Sequence, residues 1–539
     1  MTPLSRSPPV LPIIDENLLL SDAIEFNWKN NPNQPFYTFS DSGHDPQIIT
    51  HLEFGRAAHR MARLLRPDSM GQDGEVVALI AHTDPFPISL RFSPEIVAGM
   101  LIKTSCHRVL ATNAVLKSFV EDMQAHLDRY SHKVEITEIP PLAAAYPQLA
   151  REDADYLFEP YPILRRPSPS ETCIIMHSSG STGIPKPIRQ THLACTRLAT
   201  LSPEWKEYSP HLVLGCMALP AFNPFAVVLE IFHPAFTVIT IALFPPVYIT
   251  GGIPRTPSPQ AIIEHAKATI ANALVAVPPV FIESWAKSPE TIEYLKSLEF
   301  IAYAGLNLIP KIGNQLASAG VRLQSIYGGT ELGIPVSTLP NRDVMDWEYV
   351  RFIQDVNVRW ISLGNDIFEL HLLACLISSN FKRPAILNLP DVEGFATSDI
   401  FKPHPVKEGL WKNVGRLFDI IVHSSGEKTI PRPIEDVIMG DAFVKGAVVF
   451  GEGYNQPGVL IEVVADAQVD TRDQVEVSHL RDQVWPIIEE ANKEAPIFSK
   501  IVKQLVLFTA IGRPLPRTDK LTIQRKVAIE LYALEISEV

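Results

Sequence analysis

The stretch HSSGSTGIPKPIRQTH, residues 177–192, decides how the rest of the chain is read. Gly180 and Gly183 let backbone come close to a polyphosphate. Ser178, Ser179, Ser181 and Thr182 supply hydroxyl and N–H donors, and Lys186 adds a mobile positive charge. In the P-loop pattern G-x-x-x-x-G-K-[ST] the lysine directly follows a glycine and opens a helix. Here Lys186 lies between Pro185 and Pro187, so the loop is of another kind. On these residues alone a flexible Ser/Gly turn reads as well as a phosphate cradle, and the flanking segments have to decide between them.

Those segments alternate strand-like and helix-like patterns. Gly74–His82, GEVVALIAH, is a short apolar run of the kind found in buried parallel strands, and FSPEIVAGMLIKT after it offers Ser93 as N-cap and Pro94 at the first helical position. ANALVAVPPVFIESWAK reads as strand, proline turn and helix, and LEFIAYAGLNLIPKIGNQLASAG as strand, loop and amphipathic helix closing on Gly320. VRLQSIYGGTELG runs a strand into a Gly-Gly turn. This is an α/β pattern whose strands end in small-residue loops, where open parallel sheets bind ligands. Near Gly415 the character changes to short antiparallel strands with a helix. The expected organisation is a large layered α/β domain over residues 1–415 and a small α+β domain over 416–539.

With 539 residues the chain calls for two or more domains, and 46% hydrophobic with 20% charged residues argues against disorder. A net charge of -13 with no Lys/Arg run disfavours nucleic acid and anionic membrane as partners. Cys106, Cys173, Cys195, Cys216 and Cys375 are widely spaced, form no C-x-x-C pair and read as reduced, mostly buried thiols. The N-terminus has no basic start followed by an apolar core, so the expected location is cytoplasmic. The most apolar stretch, from Val227, is broken by Glu230, His233, Pro234 and Pro245-Pro246. It reads as a buried helix and a core strand, not a membrane span.

Five motifs now stand in order from Ser178 to Lys520: SSGSTGIPK, YGGTELG, FATSDI, GRLFDIIVHSSGEK and PRTDK. In order and spacing they resemble the adenylate-forming superfamily of acyl-CoA synthetases, nonribosomal-peptide adenylation domains and luciferases. SGSTGIPKPI, SSGEKTIP and QPGVLIE look most like the fungal nonribosomal-peptide-synthetase-like carboxylic acid reductases. The resemblance implies activation of a carboxylic acid with ATP and Mg²⁺. The first loop, with Ser178, Ser179, Gly180, Ser181, Thr182, Gly183 and Lys186, would hold the β- and γ-phosphates. Tyr327 would pack on adenine, with Gly328 and Gly329 allowing close backbone approach. Thr330 would meet a phosphoryl oxygen, and Glu331 would hold Mg²⁺, which suits a hard cation. Asp399 is similar to the acid that accepts from both ribose hydroxyls, with Ser398 where the family has glycine, and Arg416 matches an arginine that reaches the ribose. Phe222, Asn223 and Gly305 fall in segments expected to line the acid pocket. No acidic residue lies within Pro220 to Ala226, which disfavours an α-amino acid and leaves an aryl or other non-amino acid; Asn223 reads equally well as a satisfied core amide. The thiol acceptor would be CoA or a phosphopantetheinylated carrier.

Four departures qualify the likeness. Strict register puts Leu521 and Thr522 at the family's terminal G-K pair, so Lys520, two residues earlier, is the candidate catalytic lysine. The hinge position is Phe418, with an acid only at Asp419. Asp84 joins Pro85 directly where relatives carry a helix and a strand, which predicts an exposed sheet edge and lowered stability. No G-G-[HD]-S-[LI] carrier motif or G-x-x-G-x-x-G reductase fingerprint occurs, so the expectation is an excised adenylation unit or a freestanding acyl- or aryl-CoA ligase. A degenerate nucleotide-binding homologue is the other alternative.

Overall fold

The computed structural model describes residues 8–40, 45–67, 73–81, 93–162, 165–178, 186–199, 212–219, 223–246, 257–305, 307–337, 342–354, 356–374, 387–517 and 522–538. Ser179, Gly180, Ser181, Thr182, Gly183, Phe222, Cys375, Lys520 and the Asp84–Pro85 junction lie outside the described residues.

Local chemistry sets the helix starts. A Ser-Pro pair recurs at Ser93-Pro94, Ser258-Pro259 and Ser288-Pro289. Each serine hydroxyl accepts the N–H three residues on, from Ile96, Ala261 and Thr291, while each proline sits where no helical N–H is needed. Such a cap contributes about 1 kcal/mol. The helix Pro94–Thr104 therefore begins where the sequence predicts a start, and Pro259–Ala268 and Pro289–Ser297 begin by the same chemistry.

The large sheet has the strand order Leu323–Ile326, Phe300–Ala304, Ala273–Val277, Val213–Gly215, Thr240–Ala242, Pro35–Phe39 and Gln47–Thr50. All neighbours are parallel except the last pair. Ala273–Val277 is buried along its whole length, as an apolar run covered on both faces must be. Leu274, Val277 and Ile301 point into one core with Trp285 and Leu316, and Val275, Phe300 and Ala302 into another with Leu229 and Ile241.

The apolar stretch from Val227 is a helix followed by the strand Thr240–Ala242. Its middle, Val228–Phe232, is a π turn in which the His233 N–H reaches the Val228 carbonyl. Pro234 explains the irregularity, because it has no N–H for the Glu230 carbonyl. The Tyr37 hydroxyl donates to that carbonyl instead, at 2.9 Å.

A six-stranded antiparallel sheet follows, ordered Val336–Ser337, Tyr349–Phe352, Leu410–Arg416, Gly394–Pro403, Ile367–Leu373 and Asn357–Gly364. Its core is aromatic, with Trp360 stacked on Trp411 at 3.8 Å and Phe401 against Tyr327 at 5.0 Å. Thr172–Ser178 and Lys186–Thr191 form a separate antiparallel pair, and residues 179–185 between them lie outside the described residues.

Val77–Ile80, Arg108–Ala111 and Glu135–Glu138 form a small parallel sheet. The buried strand expected at Gly74–His82 is instead an edge strand with Val77 42% and Leu79 64% exposed. Among the described residues it has one neighbouring strand, and Val77 and Leu79 face solvent.

The small domain packs the helices Pro431–Ile438 and Gln474–Glu494 on one face of the sheet Val444–Phe450, Gly458–Val463, Val506–Phe508. The last two strands run parallel, so this sheet is mixed and not wholly antiparallel.

Candidate active site

Two neighbouring strands bring Asp399 and Arg416 together. They are cross-strand partners of Gly394–Pro403 and Leu410–Arg416, and Arg416 Nε lies 3.1 Å from Asp399 Oδ1. Just before Asp399 the register slips: Glu369 faces Ile400 but His371 faces Ala396. The extra residues form a bulge in which the Thr397 hydroxyl donates to the Leu370 carbonyl and accepts the Asp399 N–H. Ser398 takes φ +59°, the left-handed conformation glycine adopts freely, which accounts for glycine at this position in the family pattern. The bulge re-aims the strand so that Asp399 points at Tyr327.

Tyr327 leaves the carboxyl end of Leu323–Ile326 and its hydroxyl donates to Asp399 Oδ2 at 2.7 Å. Asp399 is 8% exposed. Burial pushes its carboxyl above the usual range, against the opposing pull of Arg416, the Tyr327 hydrogen bond and Arg432. Burial, and then the Asp399 charge, raise the Tyr327 phenol well above its ordinary value, so it stays a donor at neutral pH.

Beyond Tyr327 the chain makes a tight turn. Gly329 and Gly333 exchange N–H to carbonyl hydrogen bonds at 2.9 and 2.7 Å, and Gly333 takes φ +72°. A Cβ on Gly328 would stand 2.5 Å from the Gly333 carbonyl oxygen, so only glycine fits. The turn exposes Gly328 and Gly329 and leaves Thr330 and Glu331 half-buried. Gln190, buried in the strand Lys186–Thr191, donates through Nε2 to the Thr330 carbonyl at 2.9 Å. That bond ties the glycine-loop hairpin to the YGGTELG turn.

Ser178 and Lys186 are paired at the end of the hairpin that adjoins residues 179–185, and Lys186 is exposed. Gly305, φ +87°, leaves the sheet beside Tyr327, because Ala304 and Ile326 are register partners. Asn223 is a helix cap: its Oδ1 accepts the Phe225 N–H at 2.9 Å. The structure thus gathers Tyr327, Gly328, Gly329, Thr330, Glu331, Asp399 and Arg416 next to the hairpin bearing Lys186. Glu331 offers a lone carboxylate on an open turn. Among the described residues no cluster of three or more His, Cys, Asp or Glu side chains could hold a metal. That donor set fits a Mg²⁺ that takes its remaining ligands from phosphates and water.

Sequence reasoning missed two contributors. Gln190 was legible as an inward position, since Ile188 and Gln190 flank the outward Arg189 in a strand of period two. Asn307 carried no signal: its Nδ2 donates to Asp436 Oδ2 on the small-domain helix at 3.4 Å, a contact made only in three dimensions. Burial lifts Asp436 to about 6, and the ordinary value is 3.8.

A layered α/β domain carrying this site, followed by a small α+β domain, defines the adenylate-forming fold. Residues 85–353 match the AMP-binding enzyme family and residues 419–539 the AMP-binding enzyme C-terminal domain. The chain belongs to the adenylate-forming enzymes, which activate a carboxylic acid with ATP. It is 42% identical to the adenylate-forming reductase Nps11 of Serpula lacrymans over 97% of this chain and 49% of that protein. It is 26% identical to a carboxylic acid reductase of Neurospora crassa over 97% of this chain and 50% of that one. The chain therefore spans about half the length of the curated relatives it matches. In fold it is similar to the anthranilate CoA ligase AuaEII, with a TM-score of 0.72, 15% identity and coverage of 98% and 99% of the two chains. No helix among the described residues is long and apolar enough to cross a membrane.

Proposed function

We propose that this chain is the acid-activating unit of an adenylate-forming reductase of the kind its relatives represent. A carboxylate oxygen attacks the α-phosphorus of ATP, the bond to the bridging oxygen of the β-phosphate breaks, and pyrophosphate leaves. A thiolate then attacks the acyl carbon and AMP departs. The observation that carries this reading is the Tyr327–Asp399–Arg416 constellation, tied through the turn at Thr330 to the glycine-loop hairpin.

In this reading Asp399 accepts from the ribose hydroxyls with Arg416 beside it, and the Tyr327 ring meets adenine. Ser178, Ser179, Gly180, Ser181, Thr182, Gly183 and Lys186 grip the departing pyrophosphate. Thr330 donates to a phosphoryl oxygen and Glu331 holds Mg²⁺, which when bound supplies positive charge to the phosphates. Lys520 stabilises charge as the carboxylate attacks, and Phe222, Asn223 and Gly305 border the acid. The substrate is an aryl or other non-amino acid, the acceptor is the phosphopantetheine thiol of a carrier domain, and the protein works in the cytoplasm.

The test is pyrophosphate release over a panel of acids, followed by mass analysis of the thioester formed with CoA or with a holo carrier protein. Release with at least one non-amino acid, lost in Lys520→Ala, and thioester on the carrier support the reading. Thioester on CoA alone makes the chain a freestanding ligase, and no release with any acid refutes catalysis.

A further inference from the structure

Cys173 sits in the strand Thr172–Ser178, which leads into the glycine loop, and Cys195 in the helix His192–Ala199, which follows the hairpin. The strand is irregular at Cys173: Thr172 pairs with Thr191 but Ile174 with Gln190, so Cys173 has no register partner and its side chain is turned out of the ladder. It packs into the apolar cluster that contains Cys195, Met176, Ala199 and Phe232. Both are free cysteines of this one cluster, on a strand and a helix that pack together. Cys195 is buried and Cys173 half-buried, so Cys173 is the more accessible of the two.

We propose that Cys173 and Cys195 form a dithiol that oxidises to a disulfide and thereby controls the phosphate-binding hairpin, an inference that rests on the nucleotide-site reading above. The oxidant is hydrogen peroxide. The Cys173 thiolate attacks one peroxide oxygen, the O–O bond breaks, and Cys173 becomes a sulfenic acid with release of water. The Cys195 sulfur displaces the sulfenic oxygen as a second water, so two thiol hydrogens and two electrons have passed to the peroxide. Cys173 reacts first because it is the half-buried thiol of the two, and the interaction between the thiols lowers its pKa while it raises, with burial, that of Cys195.

The helix bearing Cys195 also touches the nucleotide site. Leu198 lies so close to Gly333 that a Cβ there would stand 2.3 Å from Leu198 Cδ2, and the hairpin's second strand holds Thr330 through Gln190. Bringing the two sulfurs to bonding distance constrains strand and helix against each other and displaces both supports. A misplacement of about 1 Å at such a site costs on the order of 100-fold in rate.

The experiment treats the purified chain with hydrogen peroxide, blocks free thiols, digests it and maps the peptides by mass, with pyrophosphate exchange measured in parallel. A Cys173–Cys195 cross-link is expected, with exchange reduced about 10-fold or more and restored by dithiothreitol. Cys173→Ser should keep exchange and lose its sensitivity to peroxide. Both thiols remaining free, or a cross-link to another cysteine, overturns the dithiol. A Cys173–Cys195 cross-link with unchanged exchange overturns the control. Should no acid support exchange, the functional reading fails, while the cross-link and its effect on binding of a fluorescent ATP analogue still decide this proposal.

Discussion

Tyr327→Phe deletes one hydroxyl and keeps the ring that packs edge-on against Phe401 at 5.0 Å and Phe352 at 6.3 Å. What is lost is a 2.7 Å hydrogen bond to a carboxylate that is 8% exposed. Hydrogen bonds to charged groups contribute about 1.5–3 kcal/mol. Arg416 remains on the other oxygen, but its side chain is 65% exposed, so it makes up little of the loss. The expected penalty is about 2 kcal/mol at pH 7.5.

The sign with pH follows from Asp399. Its folded pKa is raised by burial, so the native state binds this proton more readily than the unfolded chain does. The ionised carboxylate is therefore a cost that disappears as pH falls through the folded pKa, and the Tyr327 bond offsets that cost only while Asp399 is charged. Once Asp399 is protonated the penalty should shrink to about 1 kcal/mol, the size of a neutral hydrogen bond. Urea unfolding at pH 7.5 and at acid pH, followed by tryptophan fluorescence, measures it, since Trp360 and Trp411 report on the same sheet. A penalty under about 0.5 kcal/mol at pH 7.5, or one that grows towards acid, would refute the assignment of a charge-assisted bond to a buried carboxylate.

Three further outcomes are expected. Ser398→Gly releases a left-handed conformation that costs about 1–2 kcal/mol, against about 0.4–1 kcal/mol of added unfolded-chain entropy, so the urea midpoint should rise; a fall would show that the serine is held there by something stronger. Gly328→Ala places a Cβ 2.5 Å from the Gly333 carbonyl oxygen and should reduce pyrophosphate exchange about 100-fold, with circular dichroism unchanged. Asp436 has a folded value of about 6 against an ordinary 3.8, so docking of the small domain should tighten as pH falls through 6, by at most about 3 kcal/mol. Asp436→Asn should flatten that dependence, read as protease cutting near Phe418, which is 70% exposed.

What the sequence made legible was whatever repeats locally. The Ser-Pro starts, the apolar run Ala273–Val277 and the glycine spacing at 328, 329 and 333 each carry their structural reason within a few residues. The pairing of Asp399 with Arg416 and Tyr327 was reachable only through the family likeness, because nothing in FATSDI announces which strand will lie beside it. Gln190 and Asn307 make their contacts across sheets, to Thr330 and Asp436, and an amide in a strand or loop carries no mark of a partner about 130 or 140 residues away. The contact of Cys173 with Cys195 was hidden for another reason. A strand with regular alternation would have fixed the side of Cys173, but the bulge at that residue changed it.

The same dependence on contacts between sheets gives the shortened Asp84–Pro85 connection its consequence. The exposed edge at Val77 and Leu79 belongs to a sheet that contributes none of the residues around Asp399. Yet the helix after the junction, Pro94–Thr104, packs against the strand Lys186–Thr191, which bears Lys186 and, through Gln190, holds the turn at Thr330. An opening of the small parallel sheet would therefore reach the nucleotide site through this hairpin before it reached Tyr327 or Asp399. Loosening there should weaken the grip on pyrophosphate while leaving the ribose contacts in place, so a defect in the N-terminal sheet would show first in the phosphate half of the site.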